Sequence, residues 1–253
     1  KEDKKSIKHH QAYVDAARTA IDETNVDDAP WQVMRSIEPE SCAWFIGRDI
    51  QKRLSQEFNA TSAVASKRRT AHGPTTAKTP HSYRNALANV DLTQRLSKNK
   101  YQKRLARYQA RLADLQRRAK KNAISSVIVF EGWDAAGKGG AIRRFTYAMD
   151  PRQYRVIRIA APSAEELAHH YLWRFCRQIP RAGYPTVYDS SWYGRVLVER
   201  VEGYAAMGRW GQAYDEINDF EQALTEHGTV VVKYWLHISP EEQLQRFKHR
   251  EEI

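Results

Sequence analysis

The sequence predicts an α/β fold: a parallel sheet covered by helices on both faces, with an extra helical segment at the N-terminus. Three observations predict it. The stretch Ser125 to Arg144 reads SSVIVFEGWDAAGKGGAIRR, and its apolar run Val127, Ile128, Val129 and Phe130 has the character of a strand buried on both faces. A glycine-rich turn and then a helical pattern follow that run directly. Beyond Arg144, short apolar runs alternate with helix-length segments, the order that builds parallel strand–helix–strand units.

Residues 1–58 read as helical. Tyr13, Ala16, Ala17, Ala20 and Ile21 fall at helical spacing. Asn25-Val26-Asp27-Asp28 breaks the pattern, and Ala29-Pro30-Trp31 restarts an apolar segment. Pro30 suits a first helical or strand-opening position better than a helix interior. Arg48 to Leu54 reads as another helix. The run 59–82 is small, polar and basic with two prolines, and 59–90 is expected to be a flexible linker. A long basic helix follows over 91–121. Its apolar stripe is Tyr101, Leu105, Tyr108, Leu112 and Leu115, at steps of four and three. Lys100, Lys103, Arg107, Arg111 and Arg117 stand among the basic residues around that stripe. This basic face reads as a solvated surface, with a homo-oligomer or polyanion contact as the alternative.

After the first strand and its helix, Arg155 to Ala160 is expected to be the second strand. Ser163 with Glu166 three residues on forms a capping box, opening a helix through Leu167, Tyr171 and Phe175. Thr186 to Asp189 is a short third strand that ends on an acid. Helices are expected from about Gly194 and from Trp210 to His227, the latter stopped by Gly228. Thr229 to His237 is the fourth strand, and Ser239-Pro240-Glu241-Glu242 starts a last helix.

The 253 residues leave room for one large α/β domain with additions, or for parts of two modules. Core 91–253 is expected to be the catalytic unit. The net charge of +11 draws polyanions: nucleic acid, an anionic membrane or long phosphate chains. Cys42 and Cys176 have no metal or redox spacing and read as reduced thiols of a cytoplasmic protein. No apolar run approaches the ~20 residues that span a bilayer, so no membrane partner is expected, and no signal-peptide pattern is present. The chain opens on Lys1, as a fragment would.

The chemistry concentrates on Gly132, Gly137, Gly139 and Gly140, with Lys138 among them. Strand, glycine-rich turn, lysine and helix make a phosphate-binding loop. Glycines let backbone N–H groups close around phosphate oxygens. The helix N-terminus adds partial positive charge, and Lys138 a mobile full charge for a transferring phosphoryl group. In the pattern G-x-x-x-x-G-K-[ST], Gly139 occupies the place of the hydroxyl residue that binds Mg2+. Asp134 within the loop and Asp189 at the third strand's end are therefore the candidate metal carboxylates. They would share the ion directly or through water, as a hard octahedral cation requires. Arg143, Arg174, Arg195 and Arg200 lie near the same edge, and their guanidinium forks match phosphate oxygens. Each of them singly is equally well read as a surface ion pair. His169 and His170, adjacent on a helix, point about 100° apart and chelate poorly.

The segments GWDAAGKGGAIRR, AAPSAEELAHHYLWRF, DSSWYGRVLVERVEG, INDFEQAL and WLHISPEEQLQRF, in this order, resemble the polyphosphate kinase 2 family over Asp91 to Arg250. That resemblance implies a P-loop kinase-like core, similar to that of thymidylate kinases. It also implies phosphoryl transfer between inorganic polyphosphate and a nucleotide with Mg2+, or Mn2+ in its place. It makes Asp134, Lys138, Asp189 and Arg195 the catalytic set, and Arg246 or Arg250 phosphate contacts. Ser190 stands where many members carry arginine, and a nearby arginine is expected to compensate. Ala29-Pro30-Trp31 resembles a triplet that follows the last motif in single-module members. Residues 1–58 are thus expected to be the tail of a preceding module, and the core's own lid to be missing. Two-module members act as polyphosphate:AMP phosphotransferases, so the resemblance implies AMP as acceptor. Acceptance of nucleoside diphosphates and non-catalytic polyphosphate binding are the alternatives. Nucleic acid is disfavoured, because Trp133, Trp173, Trp192 and Trp235 fall in apolar or motif segments rather than on a basic surface.

Overall fold

The computed structural model describes residues 9–36, 39–64, 86–92 and 97–252. Its elements run in the order α1 (His10–Glu23), β1 (Trp31–Arg35), α2 (Pro39–Val64), α3 (Lys98–Lys121), β2 (Ser126–Gly132), α4 (Lys138–Thr146) and β3 (Arg155–Arg158). There follow α5 (Ala164–Leu167), α6 (Trp173–Cys176), β4 (Pro185–Asp189), α7 (Val198–Val201), α8 (Met207–Glu226), β5 (Val230–His237) and α9 (Pro240–Glu251). The five strands form one sheet in the order β1-β5-β2-β4-β3, and every pair is parallel. All strands therefore end at one edge, where open α/β sheets bind ligands.

β2 lies at the centre because it is apolar on both faces. Val127, Ile128, Val129 and Phe130 are all at most 1% exposed. β5 and β4 flank it, in register Phe130↔Tyr234 and Phe130↔Asp189. β3 is an edge strand, and its Val156 is exposed. The basic helix α3 lies along α2. Arg111 Nη1 donates to Gln51 Oε1 at 3.0 Å and the Arg118 guanidinium sits 4.3 Å over the Phe58 ring. Leu112 and Leu115 of its stripe enter the core, with Ala119 one turn further on.

Three sequence expectations are corrected. Trp31–Arg35 is a strand rather than helix. Pro30 takes the strand-opening one of the two positions open to it, and the residues after it pair with β5 from Trp31↔Lys233 to Arg35↔His237. Trp31 is buried and meets Tyr193 edge-on at 4.7 Å. The helix opened by Ser163 has its capping box, but it breaks after one turn. Ion pairs from Arg174 to Glu166 and from Arg177 to Glu165 link α6 to α5 across the break. The helix expected from Gly194 begins instead as a 3-10 turn, Trp192–Arg195. There Trp192 and Tyr193, neighbours in sequence, both donate to Glu221 Oε1, at 3.0 and 2.8 Å.

Most of the expected linker, 65–85, lies outside the described residues, and its first residues, 59–64, continue α2. Both cysteines are free, Cys42 buried and Cys176 exposed. No described helix is long and apolar enough to cross a membrane.

Candidate phosphoryl-transfer site

The loop between β2 and α4 takes its shape from a few backbone positions. Gly132 has φ +138°, and a side chain there would collide with the Leu236 carbonyl, 2.3 Å from the Cβ position. Ala135 at φ 59° and Gly137 at φ 91° are both left-handed. Such reversals favour an anion nest, although the Ala136 N–H itself donates to Trp133 O at 3.1 Å. Ala141 is the residue whose N–H closes back on the loop, to Gly137 O at 3.0 Å. The N–H groups of Lys138, Gly139 and Gly140 precede that ladder, as first-turn donors of α4.

Lys138 curls back over the loop. Its Nζ donates to Gly132 O at 3.1 Å and Trp133 O at 3.3 Å. Both are weak, neutral acceptors that a phosphate oxygen would readily replace. Asp134 stands on the rim, about half exposed. Its Oδ1 accepts from its neighbour, the Ala135 N–H, at 2.7 Å and lies 3.4 Å from Arg250 Nη2.

Asp189 approaches from β4. Its Oδ2 is 3.8 Å from where a side chain on Gly139 would begin. The place of the missing loop hydroxyl is thus overlooked by a carboxylate. Among the described residues, no group of three or more His, Cys, Asp and Glu side chains is placed to hold a metal ion by itself. A donor set of one or two carboxylates nonetheless fits Mg2+, which keeps several waters and takes substrate phosphates as ligands. One residue on, Ser190 is left-handed at φ 63° and its N–H donates to Phe130 O at 3.1 Å.

Two side chains secure the β4 end. Glu131 is 4% exposed and accepts from both the N–H and the hydroxyl of Ser191 at 2.8 Å. Burial pushes its carboxyl up to about 7, against the pull of Lys138 and Ser191. Arg195 is held by Glu199 at 2.9 Å, with its guanidinium 4.5 Å over the Tyr171 ring. Its Nε is buried with no partner among the described residues.

The polyphosphate kinase 2 family model matches residues 95–253, which span this loop, both carboxylates and Arg195. The chain belongs to the polyphosphate kinase 2 family. It is 46% identical over 251 residues to a polyphosphate:AMP phosphotransferase of Pseudomonas aeruginosa, covering 98% of this chain and 49% of that protein. A polyphosphate:AMP phosphotransferase of Pseudomonas syringae pv. tomato is 44% identical over 246 residues, covering 97% and 49% respectively. The crystal structure of polyphosphate kinase 2 from Arthrobacter aurescens TC1 superposes with a TM-score of 0.63 at 37% identity, covering 66% of this chain and 62% of that one. The chain thus spans about half the length of the two curated relatives.

The remaining arginines expected at a polyphosphate kinase 2 site divide by what they touch. Arg246 is engaged by all its nitrogens, with Nε to Glu242 Oε1 at 2.7 Å, Nη1 to Ala135 O at 2.9 Å and Nη2 to Ser36 O at 2.8 Å. Arg250 stands beside Asp134, as above. Arg174 links α6 to Glu166 and to Ala160 O, at 3.3 and 3.1 Å. Arg200 donates to Tyr214 at 2.7 Å and covers Trp210, which ties α7 to α8. Arg143 is exposed on α4. Ser36, Glu131 and Gln243 have a place at the loop that the sequence reading did not give them. A carboxylate set between Phe130 and Gly132 in an apolar strand was the one available signal.

Proposed function

We propose that this chain carries the catalytic core of a polyphosphate:AMP phosphotransferase, with residues 91–253 as the phosphoryl-transfer unit. The observation that carries it is the left-handed loop 132–137 with Lys138 folded over it and Asp189 facing Gly139. The likeness, along 97–98% of this chain, to proteins named polyphosphate:AMP phosphotransferase supports that acceptor.

The terminal phosphoryl group of polyphosphate would lie over the loop, its oxygens taken by the first-turn N–H groups of α4. Lys138 would leave the Gly132 and Trp133 carbonyls for those oxygens and follow the charge as it moves. Asp134 and Asp189 would hold Mg2+, or Mn2+ in its place, which supplies neutralising charge beside the transferring group. Arg195, positioned by Glu199 and Tyr171, would contact the same phosphates and stand in for the arginine absent at Ser190. The AMP phosphate is already anionic, so positioning and electrostatics dominate over proton transfer. The free cysteines suit a cytoplasmic setting.

The test is nucleotide conversion with polyphosphate and Mg2+, offering AMP, ADP, GMP and dTMP separately to the wild type and Lys138→Ala. ADP formed from AMP, and lost by at least about a hundredfold in the variant, is expected, on the scale of losing a charge that stabilises the transition state. Conversion of ADP but not AMP would move the acceptor to diphosphates. Polyphosphate binding with no conversion of any acceptor would leave a binding scaffold.

A further inference from the structure

The phosphate loop is held from outside, carbonyl by carbonyl. Lys138 takes Gly132 O and Trp133 O, as described. Gln243 Nε2 donates to Asp134 O at 2.9 Å and Arg246 Nη1 to Ala135 O at 2.9 Å. The Ser36 hydroxyl donates to Ala136 O. Ser36 is 1% exposed, and its own N–H continues the β1–β5 ladder to His237 O at 2.7 Å. Arg246 Nη2 then closes the ring by donating to Ser36 O. The Cβ position of Gly137 lies 3.7 Å from Arg246 Nη1 and 3.8 Å from Ser36 Oγ, so these groups back directly onto the loop.

A trans peptide carries its C=O and the next N–H in one plane, pointing in opposite directions. Pinning the Ala136 carbonyl to Ser36 therefore aims the Gly137 N–H away from Ser36. Pinning the Ala135 carbonyl to Arg246 fixes the peptide before it, whose Ala136 N–H donates within the loop to Trp133 O at 3.1 Å. The loop's orientation is set before any anion arrives, and such preorganisation is what gives fixed dipoles their catalytic value. Lys138 is the one holder with a second task, and the other three are permanent.

We propose that Ser36, Gln243 and Arg246 are positioning residues of the phosphate loop, with Arg246 acting as a clamp between the loop and the end of β1 rather than as a phosphate contact. The proposal rests on reading 132–140 as a phosphate site. It also assigns the segment before α2 a part in that site.

Equilibrium binding of inorganic tripolyphosphate to the whole chain tests this, for the wild type, Ser36→Ala, Arg246→Lys and Arg246→Met. Melting temperatures and steady-state KM values for polyphosphate and AMP accompany it. Ser36→Ala should weaken tripolyphosphate binding about fivefold, the scale of one hydrogen bond. It should raise KM for polyphosphate while KM for AMP stays within about twofold, a split that general loosening would not give. Arg246→Lys keeps the charge but cannot reach both carbonyls as a fork does, so it should lose as much affinity as Arg246→Met. Wild-type affinity in Ser36→Ala overturns the proposal. So does Arg246→Lys binding normally while Arg246→Met does not, which would make Arg246 a charge contact. A wild type that binds tripolyphosphate but phosphorylates no nucleotide overturns the proposed function alone, and the binding comparison still decides the clamp. A wild type that binds no tripolyphosphate overturns both.

Discussion

Glu131 shows how a single residue can tie the site to pH. Its carboxyl is buried and raised to about 7, from the 4.5 of an unfolded chain. Between those values the native protein holds a proton that the unfolded chain has released. Native proton binding exceeds unfolded there, so Glu131's contribution to stability falls as pH rises through that window. Glu131→Gln keeps an acceptor for Ser191 and removes the titration. The melting temperature of the variant relative to wild type, without nucleotide or polyphosphate, should therefore rise from pH 5 to pH 8. The ceiling is about 3 kcal/mol at ~1.4 kcal/mol per pKa unit. His237, pushed down to about 4 by burial, works in the opposite sense, but it is common to both proteins and cancels in the difference. A pH-independent difference would show that Glu131 titrates normally. The residues legible from sequence, Lys138, Asp134 and Asp189, share a feature that Glu131 lacks. They lie in a local spacing or at a strand end that the chemistry itself demands. Ser36 and Gln243 reach the loop from 100 and 109 residues away, and no local pattern reports such an approach.

At the scale of elements, one buried ion pair joins four of them. Lys233 of β5 and Glu221 of α8 are both 0% exposed and 2.6 Å apart. Lys233 Nζ also donates to Thr24 O, after α1, at 2.7 Å and to the Tyr193 hydroxyl, after β4, at 3.1 Å. Burial, with a smaller push from Arg53, pulls the lysine below its usual range, and Glu221 opposes that pull. Removing one partner strands the other charge without water. Lys233→Met should cost about 3–5 kcal/mol in urea unfolding, and Glu221→Gln added to it should recover most of that loss. Gln keeps an oxygen for Trp192 and Tyr193 without a charge to neutralise. No recovery in the double variant would mean that packing, not the uncompensated charge, sets the cost. The same junction explains which elements the sequence disclosed. β2, β4 and β5 are apolar runs bounded by turns and read directly. β1 is short, follows a proline and is specified by its partner β5, so periodicity alone left it with the helices. The break between α5 and α6 carries no breaker residue, and the ion pairs that cross it join residues eight and twelve apart, beyond any local pattern.

The whole molecule carries +11, more than one loop requires. Part of that excess lies on α3, where Lys100, Lys103, Arg107 and Arg117 are exposed. Gln109 of the same helix donates to Arg144 O at 3.0 Å, joining α3 to the helix that starts at the phosphate loop. Charge within a Debye length, about 10 Å at 0.1 M salt, acts on every phosphate of a long chain rather than only on the terminal group. Tripolyphosphate reports on the loop alone. A long polyphosphate displaces counterions along its whole contact, as nucleic acids do, and its affinity should fall more steeply on a plot of log K against log salt. The comparison is made on one protein at one pH, so the difference in slopes counts the extra charges met beyond the loop. Charge reversal on α3, Lys103→Glu with Arg107→Glu, should bring the long-chain slope toward that of tripolyphosphate and leave tripolyphosphate affinity within about twofold. Equal slopes in the unaltered protein would confine polyanion recognition to the loop and make the α3 face a solvated surface.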